Sequence, residues 1–104
     1  MFIEDIIEII DQQIEKVCII NNDKINTNDD LKKARGAFSK WNSETSKLLR
    51  DNINETTANN FALGIGVISY GLPSIEDEII NFKKTVNDKI SELNYIKNHL
   101  RNQI

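Results

Sequence analysis

The groups in this chain that could do chemistry are few and scattered. His99 is the single histidine and Cys18 the single cysteine among 104 residues. A histidine acting as general base needs an orienting acid and a nucleophile or substrate proton within hydrogen-bond reach. Nothing in the spacing around His99 supplies them, and at the g position of a helix end it reads as a solvated side chain. Cys18 has no second cysteine and no histidine at a ligand spacing, so neither metal binding nor thiol chemistry is indicated. It reads as a small core residue in an apolar helical stretch. Carboxylates are numerous, 16 in all, but they fall at helix starts and on polar faces. No Glu-x-x-His pair provides the ligands of a di-metal bundle. Gly64-Ile65-Gly66 lacks the third glycine of a dinucleotide fingerprint and stands in no strand–helix unit. The chain is therefore expected to have no catalytic residue, no cofactor and no metal.

Recognition is the chemistry that remains. Phe38 and Trp41 share one helical stripe and serve either as core or as aromatic anchors at a partner interface. The segment Phe61-Ala-Leu-Gly-Ile-Gly-Val-Ile-Ser-Tyr-Gly-Leu72 is apolar yet holds three glycines. An apolar loop has to be covered by something, so Ile65, Ile68 and Tyr70 join Phe38 and Trp41 as candidate partner-interface residues.

These residues must be positioned by helices. From Ile75 the apolar residues fall at Ile75, Ile79, Phe82, Val86, Leu93, Ile96 and Leu100, steps of three and four broken once by Lys89. Only a helix gathers such positions on one stripe. Ser74 caps this helix, Glu76, Asp77 and Glu78 load its start with acid, and Lys97, His99 and Arg101 load its end with base, as the helix dipole favours. It is expected to run on to Ile104. A first helix is expected over about residues 2–20, with a stripe of Ile3, Ile6, Ile10, Ile14 and Val17. Ile7, Ile9, Cys18 and Ile19 widen that stripe until it demands more than one neighbour. The Asn- and Asp-rich residues 21–28 form a turn. Thr27 or Asn28 then caps a second helix reaching about Ile53, with a stripe of Leu31, Ala34, Phe38, Trp41, Thr45 and Leu48, which Leu49 can extend. Gly36 inside it either admits a close neighbour or is incidental. After the polar break at 52–57, a short helix over about 57–63 is expected to lead into a buried loop; the alternative is a short strand from Ile65 to Tyr70, for which the chain offers no partner strand.

The whole of 1–104 thus reads as one domain. Its fold class is all-α, an antiparallel bundle of three long helices with a short fourth element between Thr57 and Leu72, up-down packing following from short connections. The net charge of −3 offers no basic excess for a nucleic-acid backbone. No apolar run is long enough for a membrane span. The acidic Glu4 and Asp5 argue against a signal peptide, and the lone cysteine fits a reducing cytoplasm. The abundance of Ile, Asn and Lys suits an AT-rich bacterial or phage gene.

The order of features also resembles a known group. A helix with Phe38 and Trp41 leads to Leu48-Leu49, an Asn-rich break and Phe61. A last helix follows with Phe82-Lys-Lys-Thr-Val86 and Leu93-Asn-Tyr-Ile96. This is similar to the helical N-terminal domains that precede TIR-like or nuclease-like effector domains in bacterial abortive-infection and related defence proteins. It covers roughly residues 30–100 and departs at Asp51-Asn52, where such proteins often carry Phe-Gly. The resemblance implies an assembly or sensing module. The expected function is thus a non-catalytic protein-interaction or oligomerisation module, with a protein partner, a homo-oligomer, or both. The alternative is a small stand-alone inhibitor or antitoxin-like protein from a phage or mobile element.

Overall fold

The computed structural model describes residues 2–22, 24–62 and 74–102. They form helices α1 (Ile3–Asn22), α2 (Asn28–Asn52), α3 (Glu55–Ala62) and α4 (Ile75–Arg101), and the fold is all-α.

Local chemistry sets the helix starts. Thr27 Oγ1 accepts the Asp30 amide at 3.1 Å, and Asp30 Oδ2 accepts the Asn26 amide at 3.1 Å, a reciprocal arrangement akin to a capping box. Ser74 Oγ accepts the Asp77 amide at 3.2 Å, and Asn54 Oδ1 accepts the Thr57 amide at 2.7 Å. Each satisfies an amide left without a partner in a first helical turn. α4 ends at Arg101, where the Asn102 amide donates to Asn98, short of the expected run to Ile104.

Side-chain pairs give the helix directions. Gln13 meets Trp41 and Thr45, so α1 and α2 are antiparallel once Ile3 and Ile6 are placed beside Ile53 at one end. Asp11 meets Lys97 and Asn21 meets Asn87, so α1 and α4 are antiparallel as well. α2 and α4 consequently run the same way. The physical reason is α3. Only Ile53 and Asn54 separate it from α2, and so tight a connection folds a helix back on its predecessor. α3 takes the return position in an up-down-up-down order, with eight residues where α2 has 25 and α4 has 27.

The core runs along all four helices. Phe38 stacks on Trp41 with ring centroids 5.6 Å apart and meets Phe82 edge-on at 5.8 Å, and Trp41 meets Phe61 edge-on at 5.9 Å. One aromatic chain thus links α2, α4 and α3, in geometries that aromatic quadrupoles favour. Val17, Val86, Leu93 and Ala58 are fully enclosed around it. Cys18 is half-buried rather than a core residue, because it lies to the side of the stripe led by Gln13 and Val17. Among the described residues, nothing beyond its own stretch of helix comes within 4 Å of where a Cβ on Gly36 would stand, so it serves no close approach of another of the described helices.

Candidate functional site

The sequence candidates separate. Phe38 and Trp41 are 5% and 2% exposed and belong to the chain's own core. Their stripe is what a core face and an anchor face share, and the structure uses it as core. Ile65, Ile68 and Tyr70 lie outside the described residues.

Two polar groups that the apolar pattern passed over are built into the core instead. Gln13 stands in the middle of the α1 stripe. Its main-chain carbonyl accepts Trp41 Nε1–H at 2.8 Å, and its side-chain oxygen accepts the Thr45 hydroxyl at 3.3 Å. Lys89, which breaks the heptad of α4, is 1% exposed. Its ammonium donates to the carbonyl of Phe61, lies 4.3 Å from the centre of the Phe61 ring, and pairs with Glu92 at 3.4 Å. Phe61 is the penultimate residue of α3, where carbonyls lack intrahelical donors and the dipole attracts a cation. Lys89 therefore closes the C-terminal end of the short helix. Asn42 Oδ1 and Ser46 Oγ, one turn apart on α2, are buried without a hydrogen-bond partner among the described residues.

Below the Lys89–Phe61 contact, a cleft opens. α3 packs on α2 and meets α4 much less closely. The seam between α3 and α4 holds a volume of about 600 Å³. α3 contributes Thr57, Asn60 and Phe61, and α4 contributes Glu92, Tyr95, Ile96, His99 and Leu100. Ile3 and Ile6 of α1 and the α2–α3 turn complete it. The volume is in the range of ligand and side-chain pockets. Its lining combines aliphatic groups with Asn, Thr, Tyr and one carboxylate.

Tyr95 is 74% exposed at this cleft, and Phe2, the neighbour of Ile3, is 78% exposed. Neither was singled out from the sequence. The available signal was an aromatic off the apolar stripe: Tyr95 stands two residues past Leu93, about 200° around the helix. Ile19 and Ile80 are the other large apolar residues exposed among the described ones, and neither lines the cleft.

Among the described residues no group of three His, Cys, Asp or Glu could hold a metal ion, and no helix is long and apolar enough to cross a membrane. Asp30 has its carboxyl held below the ordinary value, first by the hydrogen bond from the Asn26 amide and further by Thr27. That is the electrostatics of a helix cap. A second groove, of about 370 Å³ and bordered by Lys24, Asp30 and Lys33, lies beside that cap. Set against known proteins, the chain matches no family model, no curated protein and no solved structure.

Proposed function

We propose that this chain is a non-catalytic helical interaction module, and that it docks through the cleft between α3 and α4. The supporting observation is the open seam between α3 and α4. α3 packs on α2 and meets α4 much less closely, and the seam between α3 and α4 is lined by the half-buried Ile3, Ile53 and Ile96 beside an exposed tyrosine. Concave apolar sites with a few polar groups at the margin are where ligands and partner side chains bind. The likeness to the helical N-terminal domains of bacterial defence effectors agrees with this role and would make the module the assembling or sensing part of such a system.

The test uses an apolar fluorescent probe, anilinonaphthalenesulfonate, with the folded chain at neutral pH. Asn60→Trp places a large ring in the cleft from an exposed α3 position. The expected result is bright probe fluorescence with the native chain and its loss in the variant, with helical circular dichroism unchanged. Equal probe binding by both proteins would overturn the cleft as the docking site.

A further inference from the structure

We infer that the occupant of the cleft is Phe2 of a second copy of this chain, exchanged reciprocally across a two-fold axis. The inference rests on the docking-module reading and names its partner.

Phe2 is a fixed feature of the bundle's end. Its carbonyl accepts the Asp5 and Ile6 amides at 3.0 and 3.3 Å, so its backbone is part of the first turn of α1. Its ring nevertheless stands 78% exposed, immediately beside Ile3 of the cleft. An aromatic knob and an apolar hole therefore occur at the same end of one molecule. A two-fold contact requires this self-complementarity: one copy's knob enters the other's hole, and the reverse follows by symmetry.

Glu4 and Asp5 follow Phe2 and are exposed at the start of α1, while His99 and Arg101 are exposed at the end of α4. Seating Phe2 beside His99 in the partner's cleft brings Glu4 and Asp5 of one copy toward Arg101 of the other, with the Glu92 carboxylate further inside the same cleft. The interaction of opposite charges at the contact's margin mainly sets orientation and salt sensitivity.

Size fixes the strength. The bundle measures 47 × 24 × 19 Å, and an end-on contact confined to its narrow cross-section falls well short of the roughly 800 Å² per partner of a standard interface. The dimer is accordingly weak, with half-association between about 10 μM and 1 mM.

Light scattering of the full chain across that range tests this, with Phe2→Ser and Asn60→Trp as variants. The expected mass of the native chain rises toward twice the monomer, and rises less in high salt. Both variants stay monomeric while keeping native helicity. A native chain that remains monomeric at about 1 mM, or a Phe2→Ser variant that associates as the native chain does, overturns the exchange. If anilinonaphthalenesulfonate still enters the cleft and Asn60→Trp still excludes it, the docking reading stands with a foreign apolar segment as partner. If the probe does not enter, both readings fall.

Discussion

Lys89 and Phe61 are joined twice: the ammonium donates to the Phe61 carbonyl and lies 4.3 Å from the centre of the same residue's ring. A cation at the end of a short helix is thus held over an aromatic face inside the core. Burying an ammonium carries a desolvation cost of several kcal/mol, which pairing with a half-exposed Glu92 offsets only in part. Lys89→Met removes that cost and retains the packing, at the loss of the Phe61 carbonyl's donor. Its effect on global stability is expected within about 1.5 kcal/mol of neutral. Lys89→Ala also leaves a cavity and is expected to cost about 2–5 kcal/mol. Denaturant unfolding measures both. Amide exchange in α3 should accelerate in Lys89→Met relative to α1, α2 and α4, because the closed end of α3 is lost. Equal losses for Met and Ala would mean that the charge, not the packed stem, is what matters there.

Gln13 and Thr45 form a second coupled pair across α1 and α2. Thr45→Val removes the donor and leaves the Gln13 side-chain oxygen unmatched in the core, with an expected cost of about 1 kcal/mol. Gln13→Leu leaves the Thr45 hydroxyl unmatched at similar cost. Removing both partners spares that penalty, so the double variant should lose less than the sum of the singles. A strictly additive double-mutant cycle would contradict the pairing.

Gly36 gives a prediction with the opposite sign. Open space surrounds the position of its missing Cβ inside α2. Gly36→Ala should therefore raise stability by about 1 kcal/mol through helix propensity alone. For a domain of this size that corresponds to a rise of about 4–8 °C in the thermal midpoint. An unchanged or lowered midpoint would mean that α2 needs the glycine.

Asp30 sets a term in acid stability. Its folded-state pKa is lowered, chiefly by the Asn26 amide. A carboxyl that is more acidic when folded contributes stability above its unfolded value, near pH 4, and that contribution is lost as pH falls through the folded value. Asp30→Asn should therefore lower stability at neutral pH and make the decline of stability below about pH 4 shallower. An unchanged acid limb would contradict the cap.

The parts of this fold that were legible in the sequence are those decided locally. The caps at Thr27 and Ser74 and the stripes through Ile10, Phe38 and Phe82 each depend on neighbours within a few turns, and all recur in the structure. Periodicity shows which face is buried but not which helix covers it. It therefore could not reveal that α2 and α4 run in parallel, because the direction of α4 follows from the return of α3. Lys89 read as a break because a hydropathy pattern scores the ammonium and not the four-carbon stem that fills the core position. The cleft left no trace for a different reason: it depends on how closely α3 approaches α4, which no periodicity within either helix records. Tyr95 and His99 become site residues only through that approach.

The most direct test of the docking surface is isoleucine-methyl NMR of the chain over a dilution series. The predicted result is concentration-dependent shifts at Ile3, Ile6, Ile53 and Ile96, which line the cleft, with Ile19 and Ile80 unmoved. Shifts confined to Ile19 and Ile80, or association that leaves all four cleft methyls unchanged, would contradict a contact through the seam between α3 and α4.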